Sequence, residues 1–185
     1  MVTLNSAYKA LRDARTSIRD LSSARDLEEA ERHWKRFLDA LIKIEKKVHV
    51  AVIDLPGGEG WFGQWQGQRK TELLSYCLHA RNCDGHRIEE ITAPEALVRI
   101  QGTGATHLRS IVWTPDRFEM GFTGSVPAES FVHRLRLLAV IDRGVDYEPP
   151  PEAQGPHPTP IHELAEQAAN SMEALIQEAE QRFLP

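Results

Sequence analysis

Three side chains within one six-residue stretch carry functional groups suited to chemistry on a phosphodiester: Arg81, Asn82 and His86. Arginine holds a fixed positive charge that binds phosphate oxygens, and histidine takes up and releases a proton near neutral pH. Cleavage of RNA without a metal needs a base for the 2′-hydroxyl proton and a cation for the charge that develops on the phosphate. On a regular helix, Asn82 and His86 share a face at i and i+4, whereas Arg81 lies to one side.

An amphipathic helix leads into this motif. Apolar side chains recur at helical spacing from about Thr71, at Leu73, Leu74, Tyr76, Cys77, Leu78 and Ala80. The pair Asp84-Gly85 favours a helix end, and Gly85 suits a left-handed position just past it. We therefore expect the motif at the C-terminal end of this helix, with His86 swung toward Arg81 by the break. The alternative is plain capping, because the same residue types are favoured at helix C-termini.

The segment from Leu73 to His86, an amphipathic helix that ends in Arg-Asn-x-x-x-His, resembles the HEPN superfamily (higher eukaryotes and prokaryotes nucleotide-binding). The resemblance covers roughly residues 1–90 and the last helix, and only the six-residue motif is specific. It implies a metal-independent endoribonuclease without a cofactor, in which Arg81 binds the phosphate, Asn82 is the adjacent polar position and His86 is the catalytic histidine.

The same resemblance implies partners. Two copies of the motif would face each other in a homodimer with a composite active site, and the substrate would be RNA. Such enzymes belong to toxin–antitoxin or anti-phage modules, so an antitoxin or another regulatory protein is a further expected partner.

Two other interpretations remain open. The same bundle could be a non-catalytic module that binds protein or nucleic acid, which the acidic net charge of -5 and the additional strands favour. Alternatively, His79, Cys83 and His86 could face one metal ion at i, i+4 and i+7. That set has no obvious fourth ligand and lacks the paired-cysteine spacing of zinc sites, so we predict no metal.

Composition bounds the rest. The chain has 185 residues, of which 41% are hydrophobic and 26% charged, as in an ordinary globular domain. No apolar stretch approaches the roughly 20 residues needed to cross a bilayer, and the N-terminus lacks the features of a secretory signal. Only two cysteines occur, Cys77 and Cys83, which fits a reducing compartment. We expect a cytoplasmic protein that does not contact membranes.

Periodicity divides the chain into four parts. Residues 1–86 predict a helical region: one helix from Leu4 to about Leu21, a second that begins after Ser23 or Asp26, and the motif helix. Residues 87–147 alternate with a period of two and predict strands, residues 148–160 form a Pro-rich connector, and residues 161–185 predict a C-terminal helix that completes the bundle. We predict an α+β fold, a HEPN-like antiparallel helical bundle with an antiparallel β-sheet inserted before the C-terminal helix.

Two details of the helical region complete the prediction. The glycine-rich stretch 54–68 predicts a loop, whose aromatic residues Trp61, Phe62 and Trp65 either anchor it to the core or stack on bases. His33 and His49 are predicted to lie at the surface of the second helix.

Overall fold

The computed structural model describes residues 4–86, 90–101, 107–114, 117–123, 128–154 and 158–184. At 68–69, 84–86, 96–101, 107–114, 117–123 and 128–133 it describes the backbone alone. Within these ranges the helices are α1 (Asn5–Ser22), α2 (Leu27–Val52), α3 (Gly58–Gln64), α4 (Glu72–His86) and α5 (Ile161–Phe183). The strands are β1 (Thr92–Gln101), β2 (His107–Thr114), β3 (Arg117–Thr123), β4 (Ala128–Leu137), β5 (Val140–Asp142) and β6 (Val145–Tyr147). The predicted α+β class is confirmed, with small two-stranded sheets between α4 and α5.

The chain forms two compact units. The first contains Met1–Pro94 and Leu135–Pro185, and the second contains Glu95–Arg134. In the second unit, β2 and β3 form an antiparallel pair whose register shifts between Leu108 and Ser110. β1 pairs with β4 in a separate two-stranded sheet.

The first two helices are set by local sequence. The side chain of Asp26 accepts a hydrogen bond from the backbone N–H of Glu29 at 2.7 Å and so caps the start of α2. Glu28 and Glu29 lie in the first turn, where the helix dipole favours negative charge. The short connection 23–26 turns the chain back, and α1 packs along α2. The second helix therefore begins after Asp26, which is one of the two predicted positions.

The core of the first unit lies between α1, α2, α4 and α5, which pack on one another. Each helix carries an apolar stripe at three- and four-residue spacing, and these stripes meet in the interior. The largest fully buried side chains are Trp34, Tyr76, Phe37, Leu38, Leu41, Ile44, Leu74, Ile91, Leu164, Met172, Leu175 and Ile176. No helix in the described part of the chain is long and apolar enough to span a membrane.

The glycine-rich stretch is helical, so the prediction of a loop was wrong. Gly57 has a positive φ of 77° just before α3, and a Cβ on Gly58 would lie 1.8 Å from the carbonyl oxygen of Val52. After that close turn the chain continues as α3 and a π-helical turn, Trp65–Arg69. Burial of three aromatic side chains outweighs the poor helix propensity of glycine; these are Trp61, Phe62 and Trp65.

These aromatic side chains anchor the segment to the core, as one of the two alternatives predicted. They are 3%, 3% and 4% exposed, so they present no free face to a base. The indole Nε1 of Trp61 also donates a hydrogen bond to Glu178 of α5 at 2.8 Å.

A short hairpin follows β4 at the end of the segment 87–147, for which the sequence predicted strands. β4 ends at Leu137, and β5 and β6 form an antiparallel pair in which Asp142 lies opposite Val145. The two connecting residues, Arg143 and Gly144, have φ angles of 54° and 81°. Positive φ at both central residues matches the right-handed twist of a two-residue hairpin. This hairpin belongs to the first unit and packs on α4.

Candidate functional site

The motif lies within α4 and not beyond it. The backbone stays helical through Asp84 and Gly85 to His86, so the predicted break before His86 was wrong. A single glycine in a helix costs only about 1 kcal/mol relative to alanine, which leaves room for the helix to continue. The side chain of His86 lies outside the described atoms, and its predicted swing toward Arg81 is therefore untested.

Arg81 points toward α2. Its Nε donates to Oδ1 of Asp39, and the two side chains are 30% and 43% exposed. An ion pair this exposed contributes only about 0–1 kcal/mol to stability. No other partner of the guanidinium is found in the described part of the structure. Asp39 fixes the direction of Arg81 without occupying its whole fork of donors.

Asn82 points in a different direction, toward the β5–β6 hairpin. Its amide Nδ2 donates to Oδ2 of Asp142 at 3.0 Å. The same carboxylate oxygen lies 2.8 Å from Nδ1 of His79, one turn earlier on α4. The ring of Tyr147, from β6, stacks on the His79 ring with centroids 3.7 Å apart and planes at 14°. The structure thus brings together His79, Asn82, Asp142 and Tyr147.

The ionisation of Asp142 fixes the proton on His79. Hydrogen bonds from His79 and Asn82 hold the pKa of the Asp142 carboxyl below its usual value, so the group is ionised at neutral pH. An ionised carboxylate only accepts hydrogen bonds, and therefore the proton in the 2.8 Å contact belongs to Nδ1 of His79. In the neutral ring Nε2 therefore carries no proton, and it is the nitrogen that can take up a second proton and release it.

Replacing Asp142 with asparagine tests this arrangement through the pH dependence of stability. Because the pKa of Asp142 is lowered by folding, its stabilising contribution is complete above the unfolded pKa of about 3.9 and is lost as pH falls through the folded pKa. At pH 6 we expect the Asp142→Asn variant to have a free energy of unfolding about 1.5 kcal/mol lower than wild type. Near pH 3 the difference should shrink, as measured by urea denaturation. An equal difference at both pH values would contradict the assigned ionisation.

Two of the three residues in the metal-site hypothesis have other partners. Nδ1 of His79 contacts Asp142, and the Cys83 thiol donates to the carbonyl oxygen of Ile141 at 3.3 Å. Among the described side chains, which do not include that of His86, no three metal-ligating groups lie together. Burial raises the pKa of the Cys77 thiol, so this residue stays protonated in the core.

A groove of about 380 Å³ opens beside the His79–Tyr147 stack. Its lining combines two tyrosines with three carboxylates and a proline run: Tyr76, Tyr147, Glu72, Asp146, Glu148 and Pro149 to Pro151. The Tyr76 hydroxyl donates to the carbonyl oxygen of Leu138 at 2.7 Å, and burial raises the pKa of this phenol. The carboxylates make the groove suited to a cation rather than to a phosphate.

The two histidines of α2 differ from the surface positions predicted for them. His33 is only 7% exposed, and its ring nitrogens lie 3.8 Å from carboxylate oxygens of Asp20 and Glu29. The prediction for His33 was wrong because α1 covers this part of α2. His49 is half-buried and stacks on Phe62 with centroids 4.5 Å apart.

Sequence reasoning singled out Arg81, Asn82 and His86 but missed Asp39, Asp142 and Tyr147. The structure brings Asn82 and His79 to one carboxylate and Arg81 to another, on different sides of α4. Comparison of the chain with models of protein families, with curated proteins and with solved structures finds no match.

Proposed function

We propose that this chain is a metal-independent endoribonuclease that cleaves RNA phosphodiesters with Arg81, Asn82 and His86, and that its helical unit is a HEPN-like bundle. The observation that supports this best is the orientation and exposure of the Arg81 side chain. Asp39 anchors its Nε, the side chain is 30% exposed, and its other N–H groups have no partner in the described residues. A guanidinium already oriented in this way loses less conformational freedom when it binds a phosphate.

Each motif residue has a role in this reaction. His86 takes the proton of the 2′-hydroxyl, the 2′-oxygen attacks phosphorus, and the bond from phosphorus to the 5′-oxygen breaks. Arg81 stabilises the negative charge that develops on the non-bridging oxygens. Asn82 acts through its hydrogen bond to Asp142, which ties the motif to the hairpin. The products are a 2′,3′-cyclic phosphate and a free 5′-hydroxyl.

The proposal includes an assembly. By its resemblance, two chains place their motifs face to face, so the functional unit is a homodimer whose site is composite. A protein of this kind acts in the cytoplasm as a toxin or anti-phage effector and is restrained by an antitoxin or another regulatory protein. A dimer mass by light scattering is the expected observation for the assembly.

The test uses two arginines in comparable ion pairs. Arg81→Ala is compared with Arg15→Ala, because Arg15 pairs with Glu173 at 2.6 Å with exposures of 43% and 33%. Total RNA is incubated with purified protein in the presence of EDTA. We expect wild type and Arg15→Ala to cleave at similar rates, and Arg81→Ala to cleave about 10²- to 10³-fold more slowly. Equal cleavage rates for the two variants would contradict the proposal, because the loss of an exposed ion pair would then explain any change in the rate.

A second candidate function is a non-catalytic binding module. The specific observation in its favour is that Arg81 and Asn82 each already contact a carboxylate of the same chain, while the adjacent groove is acidic. In this case the two motif residues hold α4 against α2 and the hairpin, and the groove contacts a basic segment of a partner. Specific partner binding that survives substitution of both Arg81 and His86 would favour this function.

A further inference from the structure

We propose that His79 is a second catalytic residue of the same site, the general acid that protonates the 5′-oxygen as it leaves. This inference rests on the ribonuclease function proposed above. It adds a residue outside the six-residue motif, and it assigns Asp142 as the positioning residue that acts through it.

The geometry of His79 is that of a histidine oriented for proton transfer. Its Nδ1 lies 2.8 Å from Oδ2 of Asp142, and its ring is stacked on Tyr147. A carboxylate on one ring nitrogen fixes the orientation of the imidazole and directs the other nitrogen outward. No partner of Nε2 is found among the residues that the structure describes, and the His79 side chain is 24% exposed against 12% for Asp142.

Capping does not explain this arrangement. His79 lies in the interior of α4, seven residues before the helix ends at His86. At this interior position the backbone carbonyls already accept hydrogen bonds within the helix, so they need no capping side chain. Nor does simple packing explain it, because a buried apolar side chain would fill the space under Tyr147 without needing Asp142. Asp142 comes from the hairpin, 63 residues away in the chain, and reaches the ring with a single carboxylate oxygen.

Asp142 also connects His79 to the motif. Its Oδ2 accepts hydrogen bonds from both His79 and Asn82, which are one helical turn and about 4.5 Å apart along α4. A substrate held next to Asn82 therefore lies within one turn of Nε2 of His79. The polar position of the motif and the second histidine are parts of one hydrogen-bonded unit.

The assigned role completes the proton balance of the reaction. His86 removes one proton from the 2′-hydroxyl, the bond between the 2′-oxygen and phosphorus forms, and the bond from phosphorus to the 5′-oxygen breaks. His79 enters this step as the imidazolium, with Nδ1–H bound to Asp142, and gives its Nε2 proton to that 5′-oxygen, so the product leaves as an alcohol and not as an alkoxide. Exchange with solvent restores both histidines, and no oxidant, reductant or further reactant is needed.

The experiment replaces the bridging 5′-oxygen of an RNA oligomer with sulfur. A thiolate leaves without protonation, so such a substrate no longer needs the general acid. We compare wild type, His79→Ala and His86→Ala on the oxygen and sulfur substrates in EDTA. We expect His79→Ala to cleave the oxygen substrate about 10²-fold more slowly than wild type and the sulfur substrate within a few-fold of it. His86→Ala should be slow on both.

The outcomes separate the two proposals. If His79→Ala cleaves the oxygen substrate at the wild-type rate, or is equally slow on both substrates, the role of His79 as an acid is wrong while the ribonuclease stands. If the wild type cleaves neither substrate, the ribonuclease function itself fails.

His79→Gln keeps a donor toward Asp142 and replaces the alanine variant if that variant does not fold; the same rescue by sulfur is expected. Asp142→Asn should show a smaller defect that sulfur rescues only in part, because Asp142 acts through His79 and also accepts a hydrogen bond from Asn82.

Discussion

Substitution of His86 by alanine should slow RNA cleavage by about 10²- to 10⁴-fold in the presence of EDTA. His86 is the proposed base for the 2′-hydroxyl proton, and the 2′-hydroxyl is a weak nucleophile until that proton is removed. Its position suits the task, because α4 carries the backbone to His86 at the very end of the helix, one turn after Asn82. The rate is measured on one defined RNA oligomer with equal amounts of both proteins.

A matched histidine on another helix provides the control. His49 of α2 stacks on Phe62, and no contact between His49 and the motif is found among the described side chains, so His49→Ala should cleave at the wild-type rate. Thermal unfolding of both variants shows whether either change acts through stability. Wild-type cleavage by folded His86→Ala would exclude the motif as the active site. If no protein in the series cleaves RNA, the binding module becomes the leading function.

The second large effect concerns the core. Trp34 of α2 is completely buried and stacks on Phe37 with ring centroids 5.4 Å apart. Truncation to alanine removes a large apolar side chain and leaves a cavity that the surrounding helices cannot close. We expect Trp34→Ala to lower the free energy of unfolding by about 3–5 kcal/mol, measured by chemical denaturation followed by circular dichroism. Domains of this size are typically stable by only about 5–15 kcal/mol, so this variant is close to unfolding.

Trp34→Phe separates the cavity from the polar atom. The indole Nε1 of Trp34 is buried and has no hydrogen-bond partner among the described residues. Phenylalanine keeps most of the buried ring and removes that unpaired N–H, whose burial is unfavourable. We expect it to lower the stability much less than alanine does. Similar losses for the two variants would show that the cavity is not the dominant cause.

The long helices were predictable because each has a clear periodic stripe. α1 and α5 begin and end within a few residues of the predicted positions, and α2 begins directly after Asp26, one of the two predicted positions. The start of α5 after Pro160 follows from the Pro-rich segment before it. The segment that follows Gly57 was not predictable from propensity, since its helix depends on burial of aromatic side chains against distant elements.

The site was predictable only along α4. Sequence spacing finds Arg81, Asn82 and His79 on one helix, but their carboxylate partners are 42, 60 and 63 residues away. Those contacts depend on how α2 and the hairpin pack on α4, which local periodicity does not encode. The turn at Arg143-Gly144 lacks the Asn-Gly or Asp-Gly pair typical of such hairpins, and so Asp142 was not recognised as a turn-flanking residue.

The division of the first unit by Glu95–Arg134 has a consequence for synthesis. When the ribosome has made the first 94 residues, the apolar stripes of α1, α2 and α4 are present but α5, which covers them, is not. These stripes stay exposed while the intervening unit and the connector are translated, a period in which a partly folded chain is prone to aggregate and to bind chaperones. The helical unit therefore completes its core only after translation has passed α5, and its last folding step packs α5 against α1, α2 and α4.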